Sequence, residues 1–181
     1  KLYYKIIFNF KTYKAIDLHG TIFSIKKDLN YSYFENTKYD LVTNFGTTEH
    51  IFNQYEVYKT IHNLVKPNGF MLHFLPYQGC YNHGFYNYNP TFFFDLGKAN
   101  NYKIGGLWIT TIIDSIPKIF NIHNMDGYNL FLKENTHPIE CYIFTLYKSP
   151  PDRIKEFVIP QQGVYFDKDF SKESKKLWEK Y

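Results

Sequence analysis

The sequence predicts an α/β protein with a mainly parallel sheet and an antiparallel strand at its edge. Apolar runs of strand length alternate along the chain with segments whose apolar residues recur at helical spacing. Gly46 and Pro76 close two of the strand-like runs. This alternation is typical of sheets whose successive strands share a direction and are covered by helices. One domain is expected over 1–148, followed by a C-terminal extension over 149–181.

The composition is that of a globular protein. Hydrophobic residues make up 44% and charged residues 21% of the 181 residues, which argues against disorder. The 18 Tyr and 18 Phe have two interpretations, the codon bias of an AT-rich genome or an aromatic ligand surface. Because the aromatic residues run along the whole chain, codon bias is the favoured interpretation.

The charge pattern bears on the partners of the protein. The net charge is +4, but the chain has one arginine, Arg153, and many of its lysines lie in the C-terminal extension. Arginine reads bases best, so the sequence does not favour nucleic acid as a partner. No apolar run approaches the ~20 residues that span a bilayer, and no signal peptide is visible. A cytoplasmic protein that does not bind membranes is therefore expected.

The first predicted elements are a short apolar run that ends in an acid and a buried strand that ends at a glycine. Residues 13–17 form an apolar run ending in Asp17, and residues 39–45 read as a buried strand closed by Gly46. Asp28 follows Asp17 too closely for a helical crossover, which needs a dozen or more residues. Either the second element is not a parallel strand, or this edge of the sheet is shortened.

A helix is predicted after the buried strand. Asn53 and Glu56 have the spacing of a capping box, with Asn in place of the usual Ser or Thr. Residues 66–69, Lys-Pro-Asn-Gly, end the helix because Pro cannot continue the hydrogen-bond ladder and Asn-Gly accepts a positive φ. The apolar stripe at helical spacing comprises Val57, Tyr58, Ile61, Leu64 and Val65.

The second half of the chain is predicted to alternate in the same way. Residues 70–75 form a buried strand that ends at Pro76, and Pro90 suits the first turn of another helix. The remaining predicted segments are a strand over 102–113, an irregular, lid-like insertion over 114–138 and a strand over 139–147.

The expected ligand site lies at one edge of the sheet. In open α/β sheets, ligands bind beyond the carboxyl ends of the strands, where the chain order reverses. That rule points to Asp17, Asp28, 46–50 and 76–83, which all follow predicted strands.

Four motifs in order resemble a known family. They are Tyr-Asp-Leu-Val at 39–42, Gly-Thr-Thr-Glu-His-Ile at 46–51, Leu-Val-Lys-Pro-Asn-Gly at 64–69 and Leu-Pro at 75–76. Together they resemble the central stretch of class I S-adenosylmethionine (SAM) dependent methyltransferases of the type 11-like group. Leu is usual in the family at the position of Thr48, and Gly at that of Asn68. The resemblance covers about residues 13–112.

The resemblance implies a fold with one part missing. The family has a Rossmann-like, doubly wound sheet, and its glycine-rich first motif precedes the position of Asp17. Residues 1–12 contain no Gly. We therefore expect an N-terminally truncated domain that lacks its first strand–helix unit and is inactive as a fragment. The alternative is a degenerate domain that no longer binds SAM.

The resemblance also implies a cofactor site for SAM. Asp17 would accept hydrogen bonds from the ribose hydroxyls, and the alternative is a surface turn or helix cap. Asp28 would bind the adenine amino group, and the alternative is an Asx turn. Asn44, Phe45 and Gly46, at the end of the buried strand, would line the methionine end of the cofactor pocket. The cofactor-binding residues implied in this way are Asp17, Leu18, Asp28, Leu29, Asn44, Phe45 and Gly46.

Three further residues are the candidates for catalysis. His83 lies on a polar loop after a strand and is the candidate general base, because neutral imidazole can take a proton near pH 7. Glu49 and His50 would face the same site. The alternatives are a structural histidine for His83, a first-turn carboxylate for Glu49 and a packed side chain for His50. No cluster has metal-ligand spacing, so no metal is expected.

The resemblance implies a SAM-dependent methyltransferase. The lack of a basic surface for nucleic acid and the polar, aromatic loop over 77–89 favour a small-molecule or sugar-like acceptor, methylated at oxygen. Two alternatives remain open. One is a non-catalytic domain of the same fold that binds a partner, and the other is an RNA-modifying methyltransferase. The sequence carries no information on the oligomeric state.

Overall fold

The computed structural model describes residues 9–113, 116–123, 125–134, 140–152 and 156–163. Within these residues the chain forms a five-stranded sheet, a separate two-stranded sheet and three α-helices. None of these helices is long and apolar enough to cross a membrane. The elements in chain order are β1 (Ala15–Asp17), β2 (Ser24–Lys26), β3 (Tyr39–Phe45), a 3-10 helix (Thr48–His50), α1 (Gln54–Leu64), β4 (Val65–Gln78), α2 (Pro90–Ala99), β5 (Lys103–Ile113), β6 (Ile116–Asn121), α3 (Met125–Glu134) and β7 (Cys141–Lys148).

The main sheet has the strand order β3-β4-β7-β5-β6. The predicted α/β class is confirmed, and three strands, β3, β4 and β5, run in one direction. Only β3 and β4 are parallel neighbours, because the reversed strand β7 lies between β4 and β5. The sequence predicted one antiparallel strand, at an edge. The sheet has two, β6 at an edge and β7 in the interior.

The connection between the parallel strands β3 and β4 follows the predicted chemistry. The side chain of Asn53 caps α1 by accepting the backbone N–H of Glu56 at 3.2 Å. The apolar stripe of α1 is buried. Asn68 adopts a φ of 60°, and a Cβ on Gly69 would lie 3.1 Å from the backbone oxygen of Asp40. The predicted turn is therefore correct, although it lies within β4, which already begins at Val65.

Pro76 does not end β4, contrary to the prediction. The strand continues to Gln78, and Pro76 pairs with Tyr142 of β7. Strand β3 ends opposite Phe74, so at Pro76 the strand has a neighbour on one side only. A proline, which lacks a backbone N–H, is tolerated where a strand has an open side.

The prediction of an irregular segment over 114–138 is wrong for the described residues. Strand β6 forms a hairpin with β5, and α3 packs Phe131 against Phe120 of β6 with ring centroids 5.5 Å apart. Pro117 lies in β6, and edge strands are where sheets accept proline. Because proline within a short apolar run argues against a strand, the sequence pattern did not predict β6. The lid role of this segment stays a prediction.

The two-stranded sheet shows how Asp28 can follow Asp17 without a helical crossover between them. Strands β1 and β2 are parallel, so the second element is a parallel strand. They are three residues long and joined by the short link 18–23, in which Gly20 has a φ of 66°. Strands this short pair without the helical crossover that longer parallel strands require. The edge is therefore shortened, and it stands apart from the main sheet.

The core lies between the centre of the main sheet and helices α1 to α3. The hydroxyl of Tyr147 donates to the backbone oxygen of Phe93, which joins β7 to α2. Part of the C-terminal extension packs here too, because the side chain of Asn100 both donates to and accepts from the backbone of Val158 at 2.9 Å. Arg153 and the lysines of 164–181 lie outside the described residues.

Candidate functional site

A sharp corner follows β3 at its carboxyl end. Gly46 has a φ of 60°, a left-handed conformation that favours glycine, and its N–H donates to the backbone oxygen of Phe74 in β4. The chain then enters the 3-10 helix Thr48–His50. The corner therefore lies at the carboxyl end of the parallel pair β3–β4, as the topology rule requires, although β3 is an edge strand and the described strand order does not reverse there.

The buried side chain of Asn44 stabilises this corner through hydrogen bonds. Its side-chain oxygen accepts the N–H of Thr48 at 3.2 Å, and its amide nitrogen lies 3.0 Å from Thr48 Oγ1 and 3.1 Å from His73 Nδ1. Burial lowers the pKa of His73 to about 3, so its imidazole is neutral and Nδ1 can accept the amide proton. Both amide donors of Asn44 are thus used inside the protein, and its cofactor contact stays a prediction.

Glu49 is the unusual residue of the corner. Its side chain is fully buried, and neither carboxylate oxygen has a hydrogen-bond partner among the described residues. Its Oε1 lies 3.4 Å from His83 Nε2 and 3.7 Å from His50 Nε2. These distances suit ion pairs with protonated imidazole but are too long for good hydrogen bonds. A buried carboxylate without such bonds is costly, so this position calls for a cationic or proton-donating partner.

The loop that carries His83 is fixed directly onto Glu49. The backbone oxygen of Glu49 accepts the N–H groups of Phe85 at 2.7 Å and Tyr86 at 3.3 Å. A Cβ on Gly84 would lie 2.9 Å from the same oxygen, so only glycine permits this approach. The placement of His83 beside Glu49 is therefore built into the backbone.

The two histidines form the open rim of the site. The side chains of His50 and His83 are 47% and 43% exposed, while Glu49 between them has no exposure. Their ring centroids are 5.1 Å apart. Phe85 is exposed beside this rim and meets the exposed Phe52 edge to face at 6.1 Å. A ligand that reaches Glu49 would therefore pass two imidazoles and an aromatic pair.

The two predicted cofactor acids lie in turns of their own. Asp17 Oδ1 accepts the N–H groups of His19 at 2.9 Å and Gly20 at 2.6 Å, and these bonds hold the pKa of Asp17 below its usual value. Asp28 Oδ1 accepts both the backbone N–H and the side-chain amide of Asn30 at 2.9 Å. Both local turns that the sequence left open as alternatives are therefore present. In each acid Oδ2 makes no hydrogen bond within the described residues.

The structure brings some of the predicted site residues together and leaves others apart. Gly46, Glu49, His50 and His83 converge, since even a Cβ on Gly46 would lie 3.5 Å from Glu49 Oε1. No hydrogen bond or ion pair joins Asp17 to these four within the described parts of the chain. Leu18, Leu29 and Phe45 differ in exposure: Leu18 and Phe45 are exposed, and Leu29 packs against the core.

The turn at Asp28 is linked to the corner through helix α1. The backbone N–H and the side-chain amide of Asn53 donate to the side-chain and backbone oxygens of Asn30 at 3.0 and 3.1 Å. Gln54, the first residue of α1, donates to the backbone oxygen of Thr48 at 2.8 Å. The N-terminus of α1 therefore lies between the two regions and binds both.

Sequence reasoning missed the polar side chains that support the corner. Tyr88 is buried, and its hydroxyl donates to Gln54 at 2.7 Å and contacts Thr48 Oγ1 at 3.0 Å. Burial raises the pKa of Tyr88 to about 12, so the phenol stays protonated. The approach of His83 to Glu49 agrees with the topology rule, which pointed to 46–50 and 76–83 at the same edge of the sheet.

Comparisons with known proteins give little for this chain. No protein-family model matches it, and no curated protein matches it in sequence. A crystal structure of a SAM-dependent methyltransferase from Clostridium acetobutylicum is similar at a TM-score of 0.39 and 14% identity, over 78% of this chain and 76% of that chain. A likeness this low carries no argument about function, which has to come from the site.

Proposed function

We propose that this protein is a SAM-dependent methyltransferase that methylates a small-molecule or sugar-like acceptor at oxygen. Two lines of support meet at one place. The motifs that resemble the family span β3, the corner and β4, and the corner presents a buried carboxylate to an imidazole. The observation that carries the proposal is the 3.4 Å approach of His83 Nε2 to the fully buried Glu49 at the carboxyl end of the parallel pair.

The residues present fit a cofactor of this kind. SAM has a diol in its ribose, and Oδ2 of Asp17 and of Asp28 is free of hydrogen bonds within the described chain. A carboxylate at a strand end can bind such a diol with both hydroxyls donating. The missing Cβ of Gly46 leaves room beside the end of β3. SAM is also cationic at its sulfonium and amino groups, which suits a corner that contains an unpaired carboxylate.

For methyl transfer the protein has to position the acceptor against the cofactor and provide a group that accepts a proton. The cofactor supplies an activated methyl group. When a hydroxyl is methylated, the C–O bond forms, the C–S bond breaks and the hydroxyl proton has to leave. In this proposal His83 takes that proton at Nδ1, the ring nitrogen that does not face Glu49. Glu49 stabilises the resulting imidazolium from the buried side, as a buried carboxylate does for a catalytic histidine.

The unpaired carboxylate favours an enzyme over a binding domain of the same fold. A buried polar group without hydrogen bonds typically costs about 1–3 kcal/mol of stability. Glutamine at position 49 would avoid the charge, and an apolar residue would avoid the whole cost. A site that keeps Glu49 despite this cost fits a role in which a proton or cation moves beside it.

The first test is a calorimetric titration of SAM into the full-length protein, with any residues that adjoin these 181, because the 181 residues alone are expected to be inactive. We expect binding at micromolar concentrations and competition by S-adenosylhomocysteine. ATP, which shares the adenosine but lacks the sulfonium, serves as the matched control and should bind far more weakly. Absence of heat with SAM at millimolar concentration would overturn the proposal.

The second test looks for turnover. The chain is incubated with SAM and a panel of sugars and phenols, and S-adenosylhomocysteine is quantified by chromatography. We expect acceptor-dependent release of S-adenosylhomocysteine with at least one hydroxyl compound, and a methyl ether in its mass spectrum. SAM binding together with methylation of nitrogen acceptors alone would contradict the assignment to oxygen.

A further inference from the structure

We propose that Glu49, His50 and His83 form a binding site for a divalent transition-metal ion of the zinc class. Each of the three offers one ligand atom, and all three atoms lie within 4.8 Å of one another. The three side chains come from two segments, the 3-10 helix and the loop after β4, which the backbone bonds to Glu49 hold together.

The distances already approach those of a zinc site. Zinc binds carboxylate oxygen and imidazole nitrogen at ~2.0–2.2 Å in tetrahedral geometry, which places ligand atoms about 3.3–3.6 Å from one another. The Oε1 atom of Glu49 lies 3.4 Å from His83 Nε2 and 3.7 Å from His50 Nε2. The distance to His83 lies within this range and the distance to His50 slightly outside it, and both imidazoles are at the exposed rim, where their side chains can adjust.

The buried carboxylate is the second, independent sign of a ligand. Glu49 is fully buried and aimed at the two histidines, yet neither of its oxygens is hydrogen-bonded among the described residues. Buried charges in proteins are normally paired or coordinate metals. An ion between the three side chains would give Oε1 the partner that the protein itself does not supply.

The ligand set decides which ion fits. Two imidazoles and one carboxylate suit zinc, iron, cobalt and nickel better than calcium or magnesium, which prefer six or more oxygen ligands. Three protein ligands with a fourth position open to solvent are typical of catalytic rather than structural zinc sites. Because His50 and His83 are nearly half exposed, that fourth position faces the outside of the molecule.

The role of the ion rests on the proposed function, whereas its binding does not. In the methyltransferase, the acceptor hydroxyl would take the open position and the ion would lower its pKa, as zinc does for bound water. His83 would then hold the ion, and the hydroxyl proton would leave to solvent. In the metal-free site His83 itself would receive the proton, so the two forms differ in their response to a chelator.

The test uses the full-length chain after treatment with EDTA and its removal. Zinc sulfate is titrated in a calorimeter, and cobalt chloride is titrated while its visible absorption is recorded. We expect one ion per chain, a cobalt spectrum typical of four-coordination and a higher thermal midpoint with zinc. Glu49→Gln, His50→Ala and His83→Ala should each lower zinc affinity by at least about tenfold, a loss that removing even a supporting group can cause.

The controls separate this site from chance binding and from misfolding. His123→Ala removes an exposed histidine elsewhere and should leave zinc affinity unchanged. Glu49→Gln keeps the shape of the side chain, and its melting in EDTA shows whether the variant folds. The absence of zinc binding, or equal affinity in wild type and folded Glu49→Gln, overturns the proposal.

The two proposals fail separately. A SAM titration of the zinc-free chain, run beside the zinc titration, reports on the proposed function alone. Binding of SAM without binding of zinc rejects the metal site and leaves the methyltransferase. Binding of zinc at the three residues without binding of SAM does the reverse.

Discussion

The turns at Asp17 and Asp28 and the corner at Glu49 present carboxylates in opposite situations. Asp17 is exposed and Asp28 is half-buried, and each has one oxygen that accepts hydrogen bonds from nitrogen atoms of its own turn. Glu49 is buried, and both of its oxygens are without hydrogen bonds within the described chain. An exposed acid in a turn is stable without a ligand, whereas burying an acid without hydrogen bonds, with two imidazoles at 3.4 and 3.7 Å, is costly. The corner is therefore the stronger indication of function.

The largest effect should come from His83→Ala. If His83 takes the acceptor proton or holds the ion, turnover should fall by roughly a hundredfold or more, since general bases typically contribute ~10²–10⁴. SAM affinity should barely change, because other residues are proposed to hold the ribose and adenine. The measurement is the steady-state rate with the acceptor found in the panel, and calorimetry gives the affinity.

His123→Ala is the control for His83→Ala, because it removes an exposed histidine away from the corner. Its turnover should equal that of the wild type. If His83→Ala folds normally and stays within a few fold of the wild-type rate, the corner is not where the proton is handled. His50, or simple positioning of an acidic acceptor, would then be the better account.

The next effect concerns the buried support of the corner, His73. Its pKa is about 3 in the folded protein, against 6.5 for a free histidine. The unfolded chain therefore binds one more proton below pH 6.5, and stability is lost as the pH falls from there toward the folded value. The side chains around His73 include Asn44, Tyr58 and Tyr147, and burial raises the pKa of both tyrosines, so they stay neutral.

His73→Gln should remove this pH dependence. Between pH 7.5 and pH 5, the wild type should lose about 2 kcal/mol more unfolding free energy than the variant, from 1.36 kcal/mol per pKa unit. Urea denaturation at several pH values measures the difference. Parallel curves for the two proteins would show that His73 accepts a proton in the folded state.

The parts of the fold that the sequence predicted depend on local chemistry. The cap at Asn53, the left-handed Asn68 and the helix start at Pro90 are each set by residues within a few positions. Strand β3 has the predicted bounds, because a buried strand next to a glycine turn has clear signals. Such features need no knowledge of the rest of the chain.

What the sequence did not predict depends on distant contacts. The insertion of β7 between β4 and β5 is a matter of which strands pair, and pattern along the chain does not show it. The same holds for Glu49, whose burial is completed by Gly84 from a loop far along the chain. The expectation that no metal binds came from spacing alone. Spacing does not reveal residues that meet only after folding.

A smaller effect is expected from Asp17→Ala, which tests the exposed turns. If Oδ2 of Asp17 binds the ribose, SAM affinity should fall about tenfold. Turnover should largely recover at saturating SAM, because the reacting atoms are not touched. Calorimetry and the dependence of rate on SAM measure the two effects.

Asp17→Asn sharpens the result for Asp17. The amide oxygen can still accept the N–H groups of His19 and Gly20, so the turn is kept while the negative charge is removed. A loss of affinity in both variants assigns a role to the charge. Unchanged affinity in both would leave Asp17 as a turn residue only.

The smallest effect should come from Asn53, which joins the two regions. Its side chain caps α1 at the N–H of Glu56 and donates to the backbone oxygen of Asn30. Asn53→Ala loses both bonds and should lower the unfolding free energy by ~1 kcal/mol, the usual value for an N-cap. Asn53→Asp keeps an acceptor for the cap but loses the donor to Asn30, so it should cost less.

If the turn at Asp28 needs this link to hold the cofactor, both variants should weaken SAM binding, while the zinc affinity of the corner stays the same. Equal SAM binding in all three proteins would show that the two regions act independently.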